Sequence, residues 1–85
     1  MTEQMKFVGM LNLSSINRVK DFAKFSNNYD GEVELHSGRY IIDGKSILGI
    51  FSIDVSRPIE MFVSETELES YETFIEQCKL SKMID

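Results

Sequence analysis

Few residues in this sequence have side chains that could do chemistry. His36 is the only histidine and Cys78 is the only cysteine among 85 residues. One cysteine excludes an internal disulfide, and with a single histidine beside it a structural metal site is not expected. Nothing in the residue pattern suggests a cofactor. Any chemistry therefore falls to His36, to Cys78 or to hydroxyl groups.

His36 and Cys78 both have plain structural explanations. Residues 32–36 alternate polar and apolar side chains, as a half-buried strand does, which puts His36 on the outward face between glutamates. We expect His36 to be a solvated surface side chain. Cys78 falls on an apolar stripe of the last predicted helix, and only Lys79 beside it is basic. A buried, unreactive thiol is expected there.

Ser46 begins a short apolar stretch that follows a turn. Asp43 and Gly44 have turn chemistry, and Ser46 is well placed to cap the first amides of a helix. The side chains that follow are too many for so short a helix to bury in one core. Some of them are expected at the surface, where an apolar patch usually marks a partner site. The apolar side chains of this stretch are Ile47, Leu48, Ile50, Phe51 and Ile53.

Ser14 and Ser15 precede the first predicted helix. Either serine can serve as its N-cap, a contribution of about 1 kcal/mol. The same helix start could hold an anion weakly, because its first amides lack partners within the helix. The plain interpretation of both serines is structural.

The elements that would position these residues follow from periodicity. Residues 5–12 are expected to form a strand, in which Gly9 marks a bulge. In this strand Met5, Phe7 and Leu11 would share one face, and Lys6, Val8 and Met10 the other. A helix follows to about residue 27. Strands at residues 32–36 and 39–42 then form a hairpin, and residues 57–63 form a further strand.

The last helix carries the clearest start signal. Ser64 and Glu67 have the spacing of a capping box, in which serine and glutamate satisfy each other's backbone amides. A single apolar stripe follows at helical spacing. It comprises Leu68, Tyr71, Phe74, Ile75 and Cys78.

The order β-α-β-β-α-β-α predicts an α+β fold, with three helices on one face of a four-stranded antiparallel sheet. At 85 residues the chain is expected to be one domain, residues 1–85. The sequence has neither a long apolar run nor a secretory signal pattern, so we expect a cytoplasmic protein without membrane contact. The net charge of −5 disfavours nucleic acid and favours a protein partner or a ligand with a basic site.

Residues 38–54 carry a resemblance to a known family. The strand Gly38-Arg39-Tyr40-Ile41-Ile42 and the stretch from Lys45 to Ile53 resemble the regulatory-serine region of HPr, the histidine-containing phosphocarrier of the bacterial sugar phosphotransferase system. The resemblance implies an HPr-like open-faced sandwich. It also implies that Ser46 matches the serine that an ATP-dependent kinase phosphorylates, and that Ile47, Leu48 and Phe51 dock partner proteins.

The phosphocarrier residues of that family are missing. HPr proteins carry phosphate on a histidine at the start of the first helix, with an arginine two positions on. Aligned by Phe22, those positions hold Ser15 and Asn17. A serine phosphate is an ordinary ester and a poor donor, and no guanidinium fork is present to clamp it. Arg18 is one residue away from the arginine position, which turns it by about 100° on a helix.

The resulting hypothesis is a noncatalytic, HPr-like regulatory or protein-binding module, not an enzyme, with Ser46 as a phosphorylation site. Its partners would be phosphotransferase-system or regulatory proteins, among them a serine kinase. One alternative is a working phosphocarrier for sugar uptake that uses another residue, His36. The other alternative is an unrelated structural or interaction module of similar fold, in which Ser46 is merely a cap.

Overall fold

The computed structural model describes residues 4–84, and their elements follow the predicted order. Every predicted strand and helix is present, with ends within a few residues of those expected. The elements are β1 (Met5–Leu11), α1 (Ile16–Asn27), β2 (Val33–Ser37), β3 (Tyr40–Asp43), α2 (Ile47–Phe51), β4 (Ile59–Ser64) and α3 (Leu68–Leu80).

The strands form one antiparallel sheet in the order β1-β4-β2-β3. Alternate side chains of β2 and β4 point to the helices and are fully buried, as the alternating sequence pattern predicts. They meet Phe22 of α1, Ile50 of α2 and Phe74 of α3 in one hydrophobic cluster. The three helices therefore cover one face of the sheet and leave the other face open, which confirms the predicted α+β open-faced sandwich.

A bulge in β1 changes which of its side chains reach the core. Phe7 pairs with Phe62, but Gly9 pairs with Met61, so Val8 is an extra residue in the ladder. Beyond the bulge the faces are exchanged, because one added residue moves every later side chain to the other side. Phe7 consequently lies on the open face, and Leu11 lies in the core. The predicted bulge is confirmed, whereas the prediction that Phe7 and Leu11 share a face was wrong.

The predicted capping box does not form. Ser64 is the last residue of β4 and is buried, and its hydroxyl accepts a hydrogen bond from Glu32 N at 2.7 Å. Its amide donates to the Glu32 carbonyl, so sheet-like pairing extends to this residue. The N-cap of α3 is Glu67, which makes no side-chain capping bond. Strand pairing thus prevails over the local capping signal.

None of the helices within residues 4–84 is long and apolar enough to cross a membrane.

Candidate functional site

The loop before α2 is held by two hydrogen bonds that Asp43 accepts from backbone amides of the loop. The Asp43 carboxylate accepts from Lys45 N at 2.9 Å, and the Asp43 carbonyl accepts from Ser46 N at 3.1 Å. This is the turn that the Asp-Gly sequence predicts, because an aspartate side chain readily bonds the amide two residues on. The turn places Ser46 immediately before the first residue of α2.

The C-terminal end of α1 fastens the same loop from the other side. The Ser26 hydroxyl donates to the Gly44 carbonyl at 2.8 Å, and Asn27 Nδ2 donates to the Lys45 carbonyl at 2.9 Å. Lys45 Nζ in turn donates to the Tyr29 carbonyl at 2.6 Å. The loop that carries Ser46 is therefore hydrogen-bonded to α1 and to the residues just after it through side chains that no local sequence pattern connects with the loop.

Ser46 is the N-cap of α2, as predicted. Its Oγ accepts from Gly49 N at 3.1 Å, and its carbonyl accepts the first helical bond from Ile50 N. The residue is half-buried, in an extended conformation with φ −98°. One helix amide is thus already satisfied by the serine oxygen.

α2 divides its apolar side chains between the core and the surface. Ile50 is fully buried, and Ile47 and Ile53 pack against the core while half-buried. Leu48 is 80% exposed and Phe51 is 44% exposed. We call Ile47, Leu48 and Phe51 the α2 patch. Two of its three side chains face solvent substantially, and Ile47 is shared with the core.

The position that resembles the phosphohistidine site is a helix cap. Ser15 is the N-cap of α1, and its Oγ accepts from Arg18 N at 3.2 Å. Of the two candidate serines, the chain therefore uses Ser15 as the cap, and both serines are exposed. Asn17, at the arginine position of the resemblance, is also exposed. Within residues 4–84, no hydrogen bond joins an imidazole or a carboxylate to the Ser15 hydroxyl.

The Arg18 side chain is hydrogen-bonded to backbone carbonyls. Its guanidinium donates to the Asn12 carbonyl through Nε and Nη2, to the Ser81 carbonyl through Nη1 at 3.0 Å, and to the Lys82 carbonyl through Nη2 at 2.6 Å. Carbonyls just after a helix lack partners within the helix, and a planar fork suits them. Arg18 thus ties α1 to the end of α3 and does not point its fork at the Ser15 hydroxyl. Sequence reasoning missed this role, because a carbonyl 63 residues away leaves no mark in the sequence.

His36 lies on the open face of the sheet, as predicted, but it is not a fully solvated side chain. Its Nε2 is 2.8 Å from Glu34 Oε1, and its ring packs on Phe62 with centroids 4.2 Å apart. The side chain is 23% exposed. Glu60 stands opposite on β4. A phosphoryl group on this imidazole would sit among carboxylates, which repel it.

Cys78 is fully buried in α3, in agreement with the sequence pattern, and burial raises the pKa of its thiol to about 12. The reactive form of cysteine is the thiolate. A catalytic or redox role for this residue has no support in its surroundings.

We expect iodoacetamide at mildly alkaline pH to label Cys78 only through opening of the fold. The rate should be roughly a thousandfold or more below that of the chain in denaturant, because the open state is rarely populated. Mass spectrometry of the alkylated protein measures it. Rapid labelling of the native protein would contradict the buried position.

The pKa shift of Cys78 also predicts a pH dependence. The folded state keeps the thiol proton above the ordinary pKa of 9.0, where the unfolded chain loses it. The folded state then binds more protons, so the free energy of unfolding falls as pH rises from about 9 to about 12. Cys78→Ala should reduce this slope. An equal slope in both proteins would contradict the prediction.

Comparisons with known proteins bear on the fold. The chain matches no protein-family model, and no curated protein matches its sequence. A similar solved structure is the crystal structure of HPr-C-His from Thermoanaerobacter tengcongensis, with a TM-score of 0.61 and 16% identity over 93% of this chain and 92% of that chain. At such low identity the likeness shows the fold alone. Together with the element order and the open sheet, it establishes that this chain has the HPr-like open-faced sandwich fold.

Proposed function

We propose that this chain is a noncatalytic, HPr-like protein of the phosphotransferase-system type that acts by binding other proteins. One observation carries the proposal: Ser46 caps a helix whose Leu48 is 80% exposed and whose Phe51 is 44% exposed. Burying one such side chain in a partner contributes roughly 1.5–3 kcal/mol. A partner that covers the α2 patch would gain part of its binding free energy from these two residues.

The surroundings of Ser15 support the noncatalytic part. Its hydroxyl is engaged as a cap, and the guanidinium of Arg18 is occupied by three carbonyls. A phosphoryl relay needs a good leaving group and a clamp for the transferred phosphate. Neither is available at Ser15, and the carboxylates around His36 disfavour that imidazole as a substitute.

Phosphorylation of Ser46 would then act by charge. The added group carries about −1.5 to −2 charges beside the first amides of a helix, which tolerate an anion there. The fold should change little, because the loop is held by the side chains of α1. A partner with acidic residues near the α2 patch would be repelled, and one with basic residues would be favoured. We expect this to occur in the bacterial cytoplasm, where the kinase finds ATP.

The test is the intact mass of the protein after incubation with ATP and an HPr-type serine kinase. We expect the mass of one phosphate, and its loss in Ser46→Ala. Ser52→Ala is the matched control, because Ser52 lies at the other end of the same helix, where its hydroxyl donates to the Gly49 carbonyl at 2.5 Å. Absence of phosphate, or its retention in Ser46→Ala, would refute Ser46 as the regulatory site.

A second assay tests the noncatalytic part separately. Radiolabel from phosphoenolpyruvate, supplied through enzyme I, should not reach this protein. Label that appears on the wild type and disappears in His36→Ala would establish the phosphocarrier alternative instead. The mass assay and the label assay can fail independently, so each part of the proposal can be judged by itself.

A further inference from the structure

The face of the sheet turned away from the helices, which we call the open face, carries an unusual set of side chains. Residues that pair directly across strands share a face, so the register defines its members. Apart from the Met5–Ser64 pair at the end of the ladder, they are Phe7 and Met10 of β1, Glu60 and Phe62 of β4, Glu34 and His36 of β2, and Ile41 and Asp43 of β3.

An aromatic row crosses the middle of the open face. Phe7 meets Phe62 edge to face at 5.3 Å, and Phe62 meets the His36 ring at 4.2 Å. Phe7 is 51% exposed and Ile41 is 61% exposed. The uncovered face of an antiparallel sheet is ordinarily polar. An aromatic and aliphatic surface in this position indicates a site that another molecule covers.

The charges on the open face are all of one sign. Glu34, Glu60 and Asp43 carry carboxylates, and no member of the open face is a lysine or an arginine. One Glu34 oxygen lies 2.8 Å from His36 Nε2 and one Asp43 oxygen accepts from Lys45 N, so each of these two groups keeps one further oxygen for a cation. Carboxylates form ion pairs with cationic groups. The negative face of an exposed aromatic ring also attracts cations. The chemistry that complements this surface is a cationic group next to an apolar side chain.

We propose that the open face is a second protein-binding surface, whose occupant is a cationic, apolar segment of another protein. Its lysines or arginines pair with Glu34 and Glu60, and its apolar side chains cover Phe7 and Phe62. A second copy of this chain does not fit, because two open faces would bring like charges together. The surface lies on the opposite side of the sheet from α2 and contains neither Ser46 nor a residue of the α2 patch. The two sites share only Asp43, whose carboxylate accepts from Lys45 N in the loop that carries Ser46.

The experiment is a titration of ¹⁵N-labelled full-length protein with two short synthetic peptides, one of alternating Lys and Leu and one of alternating Glu and Leu. We expect the Lys-Leu peptide to shift the amide resonances of Phe7, His36 and Phe62, and the Glu-Leu peptide to leave them unmoved. Added salt should weaken the binding, since exposed ion pairs are screened.

Single variants locate the binding energy. Phe7→Ser removes an exposed ring and should lower the affinity for the Lys-Leu peptide about tenfold. Glu60→Gln removes one exposed charge and should weaken it about twofold to fivefold. Leu48→Ser is the matched control, because it removes an exposed apolar side chain on the helical side of the sheet. It should leave the affinity for the Lys-Leu peptide unchanged.

Four outcomes would overturn the proposal. They are absence of shifts at millimolar peptide, shifts spread over the acidic residues of α3, loss of binding in Leu48→Ser, and equal response to the Glu-Leu peptide. Resonances of the open face that move with protein concentration alone would identify a second copy as the occupant and also overturn it. None of these results depends on whether Ser46 is phosphorylated.

Discussion

Replacing Arg18 with alanine is expected to lower the free energy of unfolding by about 2–3 kcal/mol. The side chain donates four hydrogen bonds to the carbonyls of Asn12, Ser81 and Lys82. Bonds from a charged donor contribute roughly 1.5–3 kcal/mol each when buried, and this group is only partly buried, so the sum is well below four such bonds. Urea denaturation followed by circular dichroism measures the loss.

Two further variants test whether the loss in Arg18→Ala comes from the hydrogen bonds of the guanidinium. Arg18→Lys keeps the charge but cannot fork between carbonyls, so it should recover less than half of the loss. Asn17→Ala, at an exposed neighbouring position, should change the free energy of unfolding by less than about 0.5 kcal/mol. A negligible effect of Arg18→Ala would mean that the guanidinium is free, and a phosphate-binding role beside Ser15 would have to be reconsidered.

The elements of this fold were predictable because their signals are local. The alternation of Val33 and Leu35 with polar residues identifies a half-buried strand, and the Asp43-Gly44 turn identifies the start of α2. Each of these signals involves residues within a few positions of one another. The structure confirms both.

The predictions that were wrong involve partners far along the chain. Ser64 has the local signature of a helix cap, but Glu32 supplies its hydrogen bonds and Tyr29 donates to its carbonyl at 2.5 Å. The exchange of faces in β1 depends on how Gly9 pairs with Met61, which Gly9 alone does not specify. Register and long-range contacts are properties of the whole sheet, so a single local pattern does not determine them.

The candidate site was predictable to the same extent. The cap at Ser46 follows from residues beside it, and the exposure of Leu48 follows from the excess of apolar residues in α2. The fastening of the loop by Ser26 and Asn27 does not, because it joins two elements that are distant in sequence. Phosphorylation of Ser46 and docking at the α2 patch remain predictions.

Gly44→Ala is expected to destabilise the protein by about 3 kcal/mol and to disturb the Ser46 loop. A Cβ atom at position 44 would lie 2.4 Å from Cγ1 of Val33 and 3.3 Å from the Val33 carbonyl oxygen. Gly44 is buried, and its amide donates to that same carbonyl at 2.8 Å. Either the loop or β2 must therefore move, and added volume in a packed interior costs roughly 1–3 kcal/mol or more. Urea denaturation measures the loss of stability.

Gly49→Ala is the matched control for Gly44→Ala, because it adds the same methyl group five residues later, inside α2 instead of in the loop before it. The nearest atom to a Cβ at position 49 is Ser46 Oγ at 3.3 Å, a contact that a small shift relieves. Alanine also gains about 1 kcal/mol over glycine inside a helix, so the net change should be close to zero. Equal free energies of unfolding for Gly44→Ala and Gly49→Ala would contradict the close packing of the loop against Val33. Gly44→Ala should also slow phosphorylation of Ser46, because the added methyl group displaces the turn and weakens the hydrogen bond from the Ser26 hydroxyl to the carbonyl of residue 44.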